Sequence, residues 1–157
     1  GTPVIERINT IKTYEQDESA MGRREAWKAG LKMMAEHPLV GVGLDNFRYS
    51  AMLYNPEKVH NERVAHNAYI HVGAEAGIPA LLIYILLITF SMRDLGRLRK
   101  KFRSNKDEWK YYYPAMVEGS LWGYVVCGIF LTLAWFELFY PMIALTVALK
   151  KVTQDNE

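Results

Sequence analysis

The chain has 157 residues, half of them hydrophobic, and a formal net charge of +2, a length that suits one domain. Residues 1–68 carry nine Lys/Arg and nine Asp/Glu, whereas residues 93–110 carry eight Lys/Arg against three Asp/Glu. That basic segment, RDLGRLRKKFRSNKDEWK, lies between apolar runs and lacks the aromatic and glycine pattern of a nucleic-acid module, so it speaks for membrane topology and against nucleic acid as a partner. The single cysteine, Cys127, excludes an intrachain disulfide and a multi-cysteine metal site.

Asp17 or Ser19 can cap a first helix that runs to Glu36 or His37, ahead of Pro38. On a helical wheel Arg23, Trp27, Gly30 and Met34 share one face, with Leu31 at its edge. Arg24, Glu25, Lys28 and Lys32 lie on the other. Arg23 therefore emerges beside a packed aromatic. Two readings stay open for it: a snorkelling or core-paired arginine, or an anion site, because guanidinium meets phosphate bidentately. Gly30 either weakens the helix by about 1 kcal/mol relative to Ala or marks a close approach to its backbone. In HPLVGVGLDNF, Gly41 and Gly43 permit a tight turn. The third glycine of a dinucleotide motif is absent there, so the segment reads as a structural turn. Asp45 or Asn46 then caps a short helix through Tyr54.

His60, His66 and His71 follow at gaps of six and five, which is not a metal-ligand spacing. Residues 65–76 read as helical and continuous with an apolar span. His66, Gly73, Gly77 and Ala80 then share a face, and Gly73-x-x-x-Gly77 lets another helix approach. His71 and Glu75 pair at i, i+4. A carboxylate such as Glu75 at a membrane boundary is also a functional candidate. If the hydrocarbon begins near Gly73, His66 stands about 10 Å above it, at headgroup depth. It reads either as a residue that starts the helix or as a group that takes a proton near neutral pH.

The first span lies within Gly73–Met92. Its densest part, GIPALLIYILLITF, has only 14 residues, so a span of about 20 must include some of GAEA. Pro79 predicts a kink near Gly77–Pro79. Residues 121–149 are too long for one untilted span and are interrupted by Glu137 and Pro141. They read as a hairpin: a helix from about Ala115 to Trp135, a turn at FELFYP, and a short helix back to Lys150–Lys151. One long tilted helix is the alternative. Basic loops stay cytoplasmic, which puts residues 1–68 outside. Tyr111, Tyr112 and Tyr113 then form an inner aromatic belt, and Trp135, Phe136, Phe139 and Tyr140 an outer one. The chain divides into an outer loop region (1–68), a transmembrane helix (69–92), a basic cytoplasmic loop (93–113), a hairpin (114–151) and a tail (152–157). The fold class is all-α: a helical integral membrane protein fragment with a helical outer loop region and two to three transmembrane helices. A soluble protein with two buried helices is the alternative, and it leaves the charge asymmetry unexplained.

GRREAW, HPLVGVGLDNF and AHNAYIHVGAEAGIPALLIY occur in that order. The series resembles the bacterial O-antigen ligase and polysaccharide polymerase family. The shared pattern is an Arg four residues before a Trp (Arg23, Trp27), a Pro-to-Phe turn built on two glycines (Pro38 to Phe47), and His-Asn followed nine residues later by Gly (His66, Asn67, Gly77). Ala80 departs from the Gly, Thr or Tyr usual in the ligase form. TIKTYEQDESAMGR looks like the O-glycosylation ligases of exosortase systems. The resemblance implies a multi-spanning glycosyltransferase of the bacterial inner membrane, of which this chain is the carboxy-terminal portion, with residues 1–68 facing the periplasm. It implies transfer of a glycan from an undecaprenyl-diphosphate carrier to a hydroxyl of lipid A core, polysaccharide or protein. His66 would be the general base and Arg23 would hold the diphosphate. Asn67, Trp27 and Gly77 would line the substrate, with membrane lipids around them. No metal or cofactor is implied, because arginines take the cation's role. Isolated, the fragment would lack part of the site. Two competing readings are a non-enzymatic, membrane-anchored periplasmic binding or assembly module, and a transporter or flippase fragment. Further spans and periplasm-facing arginines upstream would favour the transferase.

Overall fold

Five α-helices and no strand form the described residues of this computed structural model, 18–55, 64–104 and 109–155. They are α1 (Glu18–Glu36), α2 (Phe47–Tyr54), α3 (Ala68–Lys101), α4 (Trp109–Gly128) and α5 (Phe139–Asp155). Asp17 as a cap, the segment before it, His60, the centre of the basic loop and the end of the tail lie outside the described residues.

The 34-residue α3 is the one described helix long and apolar enough to cross a membrane. It is not straight. Gly77 has φ 86 and ψ 171, which breaks the helix into 68–76 and 78–101. The break sits where the sequence placed the kink, and it has a definite cost. Ile78 no longer donates to Ala74, and Pro79 has no N–H for Glu75, so two carbonyls and one amide lose helical partners. The glycine turn between α1 and α2 supplies all three. Val42 N donates to Ala74 O at 2.9 Å, Gly43 N donates to Glu75 O at 3.0 Å, and Ile78 N donates to Pro38 O at 2.7 Å. The approach is so close that a Cβ on Gly41 would lie 2.4 Å from the Glu75 carbonyl carbon, and one on Gly77 2.5 Å from Leu39 O. The turn and the kink are therefore one structure. Gly77 meets this turn, not another helix.

Above the kink, α1 runs parallel to 68–76, with Trp27 beside Ala65, Gly30 beside Ile70 and Met34 beside Gly73. Gly30 lies against Ile70 and Phe47, and Gly73 lies against Met34, so Trp27, Gly30 and Met34 of that face are packed while Arg23 at its end is exposed. Gly30 marks a close approach. Glu25, expected on the solvent face, is buried. It pairs with Lys28 at 2.8 Å and accepts from Asn55 Nδ2 at 2.9 Å. A second face of α1 (Ala26, Ala29, Met33) packs on Phe47 and Ala51 of α2, and Glu25 lies at its edge.

Below the kink, α3 packs with α4 and α5. Tyr84, Ile88, Tyr124 and Phe139 make a middle layer, and Leu95, Leu98, Val117, Leu121 and Leu149 an inner one. The first hairpin helix covers Trp109–Gly128 and not 115–135, and residues 129–138 turn before α5. The reason lies at its C-terminus, where the last carbonyls lack helical partners. Tyr69 Oη donates to Val125 O at 3.0 Å and Asn67 Nδ2 to Ile129 O at 3.2 Å. Side chains of α3 thus take over the end of α4.

Candidate functional site

The upper end of the α1–α3 pair carries the residues singled out by the sequence. Trp27 donates its indole N–H to Ala65 O at 2.5 Å. Asn67 caps α3: its side-chain oxygen accepts from Ile70 N at 3.0 Å while its amide donates to Ile129 O. His66 stands between these two anchored neighbours with φ 47. A left-handed backbone is uncommon for a residue with a Cβ and persists where its surroundings over-determine it. Here the fixing is visible on both sides. His66 is consequently outside the helix, and the continuous helix expected from residue 65 is corrected: α3 begins at Ala68. The supposed stripe from His66 through Gly77 does not exist, because the N-cap ends it above and the kink ends it below.

Arg23 lies one turn before Trp27 on the same face of α1, and its charge acts on His66. Partial enclosure is the first cause that lowers the His66 pKa below its ordinary 6.5, and the positive charge of Arg23 is the second. Both side chains are exposed. The charge of the guanidinium is thus felt at an imidazole whose protonated form is disfavoured. Arg24, the next residue, is exposed as well.

The other motif residues are further away. Asn67 is 8% exposed and its amide is committed to the two bonds above. Gly77 is one helix segment below, inside the turn–kink clamp. Between them lies a constellation the sequence only half disclosed. His71 Nε2 and Glu75 Oε1 are 3.0 Å apart, which is the i, i+4 pair expected. Glu75 is 1% exposed, and it also accepts from Phe47 N at 3.0 Å and from Trp135 Nε1 at 2.9 Å. Phe47 N opens α2, so Glu75 caps that helix. Asn46, the N-cap residue, makes no side-chain cap bond and donates instead to Val42 O at 3.3 Å. A carboxylate at a helix N-terminus is favoured by the exposed N–H groups and by the dipole. Trp135, assigned to an aromatic belt by sequence, spans 60 residues to reach Glu75. No local pattern could have announced that contact.

Among the described residues no group of three or more His, Cys, Asp or Glu is placed to hold a metal ion. The model of the family described as O-Antigen ligase matches residues 2–85 of the chain. That stretch contains Arg23, Trp27, the glycine turn, His66, Asn67 and Gly77. No curated protein and no solved structure matches the chain.

Proposed function

The chain belongs to the O-antigen ligase family, and from that premise we propose that it helps transfer a glycan from an undecaprenyl-diphosphate carrier to an acceptor hydroxyl at the periplasmic face of the inner membrane. The observation that carries the proposal is that the family match spans both Arg23 and His66, with the positive charge of Arg23 acting on the imidazole. A base must be unprotonated to work, and the environment of His66 disfavours its protonated form. At neutral pH the imidazole is therefore available to take the acceptor's proton. The acceptor oxygen forms its bond to the sugar's anomeric carbon as the bond from that carbon to the diphosphate oxygen breaks. The diphosphate leaves with the electron pair, and the guanidinium of Arg23 stabilises the charge as it develops. The same positive charge lowers the pKa of the base, so one arginine serves both partners of the reaction.

Trp27 and Asn67 contribute by fixing residues 65 and 67, and hence the aim of His66. Gly77 contributes by admitting the turn that holds α1 against α3. The acceptor class, whether lipid A core, polysaccharide or protein, is a choice made by surfaces beyond these residues.

The test is glycan transfer by the complete protein that carries this chain, with protein levels in the membrane checked for each variant. His66→Ala is expected to reduce transfer by about 10²–10⁴-fold, the usual worth of general acid–base catalysis. Arg23→Ala is expected to cost about 10²–10³-fold, as for a lost charge-stabilising donor. Arg24→Ala should leave transfer close to wild type. Near-normal transfer by either of the first two variants would refute the assigned role.

A further inference from the structure

The segment of α3 that is apolar and reaches lipid is short. Below the kink the uncharged run is 78–92; its 15 residues rise about 22 Å at 1.5 Å each, against a hydrocarbon core of about 30 Å. The missing ~8 Å cannot be taken from the face of α3 above the kink, by the same count. Gly73, Ala74, Glu75 and Gly77 are buried there by α1 and by the glycine turn.

What faces outward at that height is the turn. PLVGVGL, residues 38–44, holds no charge. Leu39 is 74% exposed, Val40 73% and Leu44 64%. The backbone of Leu39 and Val40 lies directly against Gly77, and the next exposed residues down α3 are apolar: Ile78, Leu82 and Ile83. The turn thus abuts the top of the span, and the exposed side chains on both sides of that contact are apolar. Non-helical backbone is tolerated at membrane depth only where its polar groups are satisfied. Gly41 N donates to His37 O, Val42 N and Gly43 N donate to α3, and Pro38 O accepts from Ile78 N. In water the same turn would leave three large apolar side chains unburied.

We propose that the Pro38–Leu44 turn is immersed in the leaflet on the Gly77 side of the bilayer, with Leu39, Val40 and Leu44 among the acyl chains. It completes the hydrophobic thickness that the span below the kink lacks. The kink then serves as the joint that lets a loop take the place of a helix in lipid. This inference rests on the membrane character of α3 and not on the transfer chemistry.

The test uses the complete protein reconstituted in vesicles, in a background where Cys127 and any other cysteine are replaced by serine. Single cysteines at Leu39, Val40, Leu44 and, for comparison, Leu53 carry an environment-sensitive fluorophore. Leu53 is 79% exposed but lies near the far end of α2. Lipids with a shallow nitroxide should quench positions 39, 40 and 44 several-fold more than aqueous iodide does, and Leu53 should show the reverse. If positions 39 and 40 respond to iodide like position 53, the turn is in water and the proposal fails. If neither quencher reaches them, another part of the protein covers the turn, and the proposal fails equally. All four sites are exposed, so the substitutions leave the core untouched.

Discussion

The two segments of α3 meet different kinds of neighbour. Residues 68–76 are held by directional bonds: the Asn67 cap, the Tyr69 and Asn67 bonds to α4, the His71–Glu75–Trp135 set, and two carbonyls given to the glycine turn. Residues 78–101 are held by apolar layers, with one buried polar chain in which Tyr84 Oη lies 2.6 Å from Tyr124 Oη and Tyr124 donates to Leu133 O at 2.7 Å. At the far end come charge pairs, Lys150 with Asp94 at 2.7 Å and Arg99 with Glu118 at 3.0 Å. Hydrophobic packing is non-directional and tolerates small shifts, whereas hydrogen bonds fix orientation. The segment next to His66 is thus the oriented one, and the segment below is a support. Stability can come from either, but the aim of a side chain needs the first.

Glycines offer the strongest way to break that contrast. Gly77→Ala would have to place a Cβ 2.5 Å from the Leu39 carbonyl oxygen at a φ of 86. It should destabilise by at least about 3 kcal/mol, since that backbone region is essentially glycine-only. Gly96, in the lower segment, has nothing within 4 Å of its added Cβ. Gly96→Ala should instead stabilise by about 0.5–1 kcal/mol through helix propensity. Thermal unfolding of the two variants in detergent measures both, and equal shifts would erase the distinction drawn here.

Carboxylates sharpen it further. All three partners of Glu75 are donors, so the amide of Glu75→Gln must turn its own N–H₂ toward at least one of them. The expected loss is about 1–3 kcal/mol, the cost of leaving a buried polar group mispaired, together with a changed emission from Trp135. Glu118→Gln, whose partner Arg99 is half exposed, should cost only about 0–1 kcal/mol. An unperturbed Trp135 spectrum in Glu75→Gln would show that the buried network does not tie the 129–138 turn to α3.

The smallest effect expected is a titration. The His66 pKa lies below 6.5, so its imidazole gains a proton only on the acid side of that value. A reaction that needs the neutral form should therefore decline as pH falls through the lowered pKa. Arg23→Gln removes the second cause of the lowering and leaves the first. The His66 titration, followed by NMR of histidine-labelled protein, should move to higher pH but stay below the ordinary value. No movement would mean that the two side chains are not neighbours.

Much of this was legible in the chain itself. The Gly77–Pro79 pair announced the kink, and the i, i+4 spacing paired His71 with Glu75. Short-range periodicity and proline chemistry act within one helix turn or a few, so they survive in a single sequence. The readings that failed all crossed a longer gap. Residues 65–67 looked helical because nothing local shows that Trp27 and the first turn of α3 hold His66 in a left-handed conformation. Glu25 looked solvated because its partner Asn55 is 30 residues away. The first hairpin helix looked longer because the side chains that end it belong to α3.

The amino-acid order by itself determined which faces are apolar, where the helix must bend and which residues carry charge or a titratable ring. These follow from side-chain chemistry and the fixed pitch of a helix. Only the tertiary structure decided that the glycine turn and the kink complete each other. It alone put the charge of Arg23 where it acts on His66 and turned Glu75 into a junction of three elements. Unpaired backbone groups and buried charges must find partners, but the sequence does not say from which part of the chain those partners come.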